Sequence, residues 1–175
     1  MKKWLSFLLA VVIIVAVHEG MHALMAALYG EYEAFHLRLI GFEVQYRTPA
    51  EDRYGIQWAF ISGLSNLVTV LTGYMLLWSG EKFNRIPNAF LKGTFFYLTL
   101  IALLADPFNL SVGTFLYGGD ANGIAVGLGV NRAVIQAIFL LVLLANRKLV
   151  AQKLLPMYEV KANHILFRPL IRKEN

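Results

Sequence analysis

Cysteine is absent from the 175 residues of this chain. That excludes disulfide staples, cysteine nucleophiles and thiolate metal sites, so any bound metal must rest on His, Asp or Glu. Charge is scarce too. Charged residues make up 15% of the chain and hydrophobic residues 58%, a balance far from that of soluble domains and suited to a chain that crosses a membrane several times. No glycine-rich phosphate loop and no basic–aromatic stripe is present, so nothing points to nucleotide or nucleic acid. The net charge is +5, but the basic residues gather at the chain ends, which reads as membrane topology. The length fits one domain, and no internal repeat interrupts it.

What is present is long apolar runs. Met1-Lys2-Lys3 followed by such a run has the outline of a signal peptide. The run outlasts an ordinary h-region, however, and is read as a retained first span over residues 4–29, with Gly30 as its C-cap. Residues 31–55 change character. Phe35 to Tyr46 alternates partly between apolar and polar residues, which predicts one or two short strands broken at Gly41 at the membrane surface. An open edge there could take an extended peptide by strand addition; a simple surface hairpin fits equally. Thr48 to Gly55 reads as a polar loop.

Further spans are predicted over 56–78, 89–105 and 120–145, the last interrupted near Asn131 and Arg132. Asp106 to Gly119 reads as a loop, with Pro107, Gly113 and Gly118 among its breakers. The expected fold is an all-α membrane protein of about four transmembrane helices, with a short hairpin-like insert after the first. Residues 1–146 form one membrane-embedded domain. Residues 147–175 form a basic, surface-lying tail. Four spans put both termini on one side, and counting Lys and Arg makes that side cytoplasmic.

Inside the first span stands His18-Glu19-Gly20-Met21-His22, an H-E-x-x-H pattern. On a helix the two histidines leave the same face one turn apart, at the spacing that lets two ring nitrogens hold one zinc ion. Glu19 is turned aside, placed to reach a water and not the metal. Histidines merely hydrogen-bonded in a core would be the alternative, but lipid offers no water to satisfy idle polar groups, and ionisable residues at that depth are functional candidates by default. A third ligand is needed. Asp120 is the candidate; it could also be a helix N-cap, and Asp106 is the other possible ligand. Asn66, an amide at membrane depth, must find a partner in a neighbouring helix or a bound substrate. His36 reads as a surface histidine, and His164, in the tail, has no assigned role.

In this order these features resemble the site-2-type intramembrane zinc metalloproteases. His18-Glu19-Gly20-Met21-His22 matches the family's first motif. Ser62-Gly63-Leu64-Ser65-Asn66 is similar to its Gly-Pro-x-x-Asn helix, with Leu64 where the family has Pro. Asn109 to Asp120 is placed like its Asn-x-x-Pro…Leu-Asp-Gly segment, although Asp120 follows a Gly-Gly pair instead of preceding one. The resemblance covers roughly residues 10–130. It implies a zinc endopeptidase with His18, His22 and Asp120 as ligands, Glu19 as general base and Asn66 supporting substrate or oxyanion. It also implies membrane-protein substrates cut in or near their spanning segments, and a multi-pass location in a prokaryotic cell membrane. Family members commonly have the active site toward the cytoplasm, against the charge count, so orientation stays open. The competing readings are another membrane zincin of the prenyl-protein protease kind, an inactive relative that binds membrane segments, or a metal transporter. A prenyl-protein protease usually takes a downstream Glu as third ligand, and no Glu lies at membrane depth after Glu81. A transporter would spread its polar residues along several spans.

Overall fold

The structure is a computed structural model that describes residues 2–38, 41–116, 119–161 and 167. His164 and, apart from residue 167, the tail beyond residue 161 lie outside the described residues. So do Leu39, Ile40, Tyr117 and Gly118. Helix α1 spans Lys2–Leu28 and is followed by an antiparallel hairpin of β1, Tyr32–Arg38, and β2, Gly41–Tyr46. Next come α2, Gln57–Trp78, the short α3, Gly80–Asn84, and α4, Ala89–Leu110. Helix α5 spans Gly119–Leu128. Helix α6, Arg132–Leu149, runs through a π turn at Val150–Leu154 into α7, Leu155–Met157. Among the described residues four helices are long and apolar enough to cross a membrane: Lys3–Leu28, Gln57–Trp78, Ala89–Leu110 and Arg132–Met157.

Local signals explain most of the boundaries. Gly30 takes φ +74°, and the backbone bonds from Gly30 N to Ala27 O and from Glu31 N to Ala26 O close α1 in a Schellman motif. The expected C-cap is therefore in place. Asn88 caps α4 by accepting from the amides of Phe90 and Leu91, and Asn131 caps α6 by accepting from Ala133 N.

Three boundaries differ from those expected. Helix α4 does not stop at Ala105 but runs on to Leu110, enclosing Asp106, Pro107 and Asn109. A proline inside a helix deprives the carbonyl four residues back of its donor. Here that carbonyl is Leu103 O, and the buried Asn146 side chain of α6 supplies the missing bond at 2.7 Å. Tyr74 of α2 donates in turn to Asn146 Oδ1 at 2.6 Å. The fourth span, expected over 120–145 with an interruption near Asn131 and Arg132, is parted there into two helices, with Gly129 at φ +66° in the break, and the helix long enough to span is Arg132–Met157. The expected basic tail from Arg147 instead begins as helix. Lys148 and Lys153 face outward, while Val150, Leu154 and Leu155 pack with Leu77 and Leu103.

The helices pack through small residues. Ala10 of α1 and Ala102 of α4 are both fully buried in one cluster with Ile14 and Leu98. A methyl on Gly73 of α2 would stand 3.0 Å from Leu103. Small residues let helix backbones approach closely, as they must where lipid provides no hydrophobic drive between helices. The hairpin rests on one end of this bundle, with Val44 buried among Met25, Ala26, Trp58 and Ile61. At the other end Ser6 donates to Phe90 O and Asn84 donates to Met157 O. The start of α1, α3, the start of α4 and the end of α6–α7 therefore share one end. The hairpin end holds the starts of α2 and α6.

Candidate metal centre

His18 and His22 lie on successive turns of α1, as their spacing requires. His22 is buried and its Nδ1 is 2.7 Å from the carbonyl of Ile61 on α2. A carbonyl only accepts, so Nδ1 carries the proton and Nε2 presents a lone pair. His18 Nδ1 faces Asp106 Oδ1 at 3.4 Å, which leaves its Nε2 turned toward His22 and Asp120. The two Nε2 atoms stand 3.1 Å apart. Asp120 completes the group: Oδ2 is 3.4 Å from His18 Nε2, and Oδ1 is 3.4 Å from His22 Nε2.

This donor set fits a zinc ion. Four ligands held about 2.0–2.1 Å from zinc in a tetrahedron lie about 3.3 Å from one another. The two Nε2 atoms have about that spacing, each lies 3.4 Å from a different oxygen of Asp120, and one donor atom from each residue falls within 4.8 Å of the other two. Two neutral imidazoles plus one carboxylate leave a fourth position for water or substrate, the pattern of catalytic and not structural zinc.

Asp120 reaches the histidines because of how α5 packs. It lies in the first turn of α5, with its carboxylate turned to the histidines. Helix α5 lies against α2, and the contact depends on glycine. A methyl on Gly123 would stand 1.9 Å from Ser62 Oγ, and one on Gly127 would stand 2.1 Å from the backbone nitrogen of Ala59. The four-residue spacing of Gly119, Gly123 and Gly127 was visible in the sequence as a close-packing signal.

The structure separates the two acidic candidates. Asp106, on α4, sits behind His18 at the nitrogen away from Asp120. It orients the imidazole, as carboxylates do for zinc-bound histidines. Asn66 is fully buried. Its Nδ2 is 2.8 Å from Ser62 O, 3.3 Å from Ser65 Oγ and 3.1 Å from Asp120 Oδ2. The amide protons are thus committed to protein acceptors and hold Asp120 in place; the residue does not face the cavity. His36 is bonded to Gln45 on the hairpin surface at 2.7 Å, remote in sequence and contacts from the histidine pair.

A cavity of about 770 Å³ opens on the centre. Glu19 lines it beside His18, His22 and Asp120, and Ser62, Asn109 and Asn122 complete that side. The opposite wall is the hairpin and the loop after it. Phe42, Glu43, Val44, Gln45 and Tyr46 all line the cavity. Side chains alternate in a strand, so five consecutive lining residues mean that the backbone edge of β2 itself borders the space. β1 pairs with β2, and among the described residues the sheet has these two strands. The Arg53 guanidinium lies 4.8 Å from the Tyr46 ring centre and 4.4 Å from that of Trp58, a pair of cation–π contacts that fix the loop to this wall. Sequence reasoning did not single out Arg53, and its aromatic partners come from separate elements.

No protein-family model, curated protein or solved structure matches this chain.

Proposed function

We propose that this protein is a multi-pass intramembrane zinc metalloprotease that cuts membrane-spanning or membrane-proximal segments of other proteins. The observation that carries the reading is the convergence of two imidazole Nε2 atoms and the Asp120 carboxylate at 3.1–3.4 Å, beside Glu19. Zinc, when bound, polarises a carbonyl and brings the pKa of water toward ~7. His18, His22 and Asp120 would hold it. Glu19, one residue from His18 and on the cavity wall, takes a proton from the attacking water and returns it to the departing amine. Asp106 fixes the ring of His18, and Asn66 fixes Asp120. Asn66 is in this reading a positioning residue, because its donors are already used.

Membrane embedding is supported by the outer surface as well as by helix length. Trp4 and Trp78, 76% and 78% exposed, ring one end of the bundle, and Tyr29 and Tyr54 lie exposed near the other. Amphipathic rings at both ends match the two interfaces of a bilayer. The centre then lies within the span of α1, where an intact helical substrate would hide its carbonyls in i→i−4 bonds. The free edge of β2 along the cavity can hold an unwound stretch by backbone pairing. A cavity lined by Glu19, Glu43, Gln45, Thr48 and Asn122 suits such a polar, extended chain.

The test is Glu19→Gln in detergent-purified protein, assayed for bound zinc and for cleavage of a fusion carrying a spanning peptide. The variant is expected to keep parental zinc and to lose cleavage by at least ~10²-fold, the scale of general-base catalysis. Cleavage at the parental rate would remove Glu19 from the reaction.

A further inference from the structure

Between the second and third spans the chain pauses at the end of the bundle away from the hairpin. Trp78, 78% exposed, closes α2, and α3 follows after Ser79. Helix α3 is fastened back onto the bundle. Phe83 stacks on Phe95 of α4 with ring centres 4.0 Å apart. Asn84 donates to Met157 O of α7 at 2.8 Å, and Gly80 has no room for a methyl beside Met157 Sδ. With these contacts turned inward, Lys82 of α3 and Arg85 just after it lie exposed. Lys153 in the π turn and Lys161 beyond α7 flank the same contact and are exposed as well. Glu81 and Glu159 are the only carboxylates in residues 79–88 and 150–161. Among the described residues no carboxylate stands within 4.0 Å of any of these four cations. The hairpin end is different, because Glu31, Glu33, Glu43, Glu51 and Asp52 there offset Arg38, Arg47, Arg53 and Arg132.

We infer that Lys82, Arg85, Lys153 and Lys161 form a binding surface for anionic phospholipid, seating a negatively charged headgroup between the ends of the second and fourth spans. The inference rests on the membrane-embedded part of the reading above and not on the metal centre. Position selects a lipid. Tryptophan rings favour the headgroup level of a bilayer, and Trp78 stands four residues before Lys82, so these charges lie among headgroups and not in bulk water. Charge selects the kind of lipid. A zwitterionic headgroup brings its own cation to the phosphate and gains little from others, whereas an anionic headgroup has none to bring. Arg85 offers a planar fork that matches phosphate oxygens, and the three lysines offer point charges on long stems that reach along the surface. A headgroup held by both sets ties α3 to α7 from outside, where Gly80, Asn84 and Met157 tie them from within.

The experiment places the full chain in vesicles of phosphatidylcholine and phosphatidylglycerol, with identical acyl chains and equal mole fractions. The protein is released in mild detergent and weighed intact by native mass spectrometry, which counts the lipids it retains. The parent is expected to keep phosphatidylglycerol over phosphatidylcholine by about five-fold or more, the worth of one cation at an anionic surface. Raising the ionic strength to about 1 M, where charges are screened beyond about 3 Å, is expected to bring that ratio toward one. Lys82→Gln, Arg85→Gln, Lys153→Gln and Lys161→Gln together remove only exposed charge and are expected to abolish the preference. Arg38→Gln with Arg47→Gln, at the hairpin end, is expected to keep it. A parental ratio near one overturns the inference and gives the patch to a soluble acidic partner, and that result stands whether or not the fourfold variant folds. A preference that survives in the fourfold variant, or that both variants lose equally, also overturns it, since it would not belong to this surface. Failure of the membrane reading shows itself earlier, because alkaline carbonate would then strip the chain from the vesicles before any lipid is counted.

Discussion

Asp106 and Asp120 are the same residue type, and only the degraded motif ending at Asp120 favours one of them in the sequence. Each is an aspartate near the hydrophobic boundary of a predicted span, with glycines or a proline close by. Their roles part only when the two nitrogens of His18 are told apart: Nε2 faces Asp120 Oδ2 and Nδ1 faces Asp106 Oδ1, both at 3.4 Å. Removing the ligand and removing its partner's support should therefore have unequal effects. Asp120→Ala is expected to abolish stoichiometric zinc binding. Asp106→Asn keeps the side chain's shape and one acceptor, and is expected to weaken zinc by ~10–100-fold, as loss of an outer-shell carboxylate does. Metal content measured over a series of buffered free-zinc concentrations separates the two. If Asp106→Asn lost zinc outright while Asp120→Ala kept it, the ligand assignment would pass to Asp106. The histidines and Glu19, by contrast, were legible at once, because a helix fixes residues four apart on one face with no help from the rest of the fold. The role of Asn66 was not legible, since an amide at membrane depth announces a partner without naming it, and the partner is the aspartate fifty-four positions away.

Elements misread from the chain share one cause. The sequence ends the third span at Ala105, ahead of the loop breaker Pro107, yet the orphaned Leu103 carbonyl is served by Asn146, a residue that no local window contains. The tail after Arg147 looked like a solvated basic segment, yet its apolar residues sit on the face that meets α2 and α4. The hairpin was legible, being a local structure with its own alternation and a break near Gly41. The least local element is α5. It carries one ligand, and its position is set by glycines that let it lie against α2. Gly127→Ala tests that dependence. The new methyl would stand 2.1 Å from the Ala59 backbone nitrogen, so no rotamer change relieves it and the helices must separate. Overpacking of this kind costs about 1–3 kcal/mol. We expect a lower melting temperature and weaker zinc binding together, because Asp120 moves with its helix. Gly20→Ala is the matched control: its methyl meets nothing within 4 Å, and alanine is the better helix former by about 1 kcal/mol, so neither property should fall. Equal behaviour of the two variants would show that α5 does not need the close approach.

At the scale of the whole molecule the fold sorts the positive residues between the two ends of the bundle. The end opposite the hairpin carries Lys3, Lys82, Arg85, Lys92, Lys153 and Lys161, on or beside α1, α3, α4 and α6. The hairpin end carries Arg38, Arg47, Arg53 and Arg132, the last at the start of α6. Positive residues in short loops favour the cytoplasm, so the first end should be inside and the cavity should open outward. The arginines at the outer end weaken the bias without reversing it, and Arg53 is held over Tyr46 and Trp58 against the cavity wall. The lack of cysteine makes the chain its own topology probe. Glu51→Cys places an exposed thiol in the loop after the hairpin, and Glu81→Cys places one on α3 at the other end. In intact cells a membrane-impermeant maleimide is expected to label Glu51→Cys and to spare Glu81→Cys until the membrane is opened. The opposite pattern would turn the molecule over and put the cavity on the cytoplasmic side. Labelling of both in intact cells would mean that these helices do not separate the two ends across a bilayer, and the intramembrane part of the proposed function would fall while the metal centre stood.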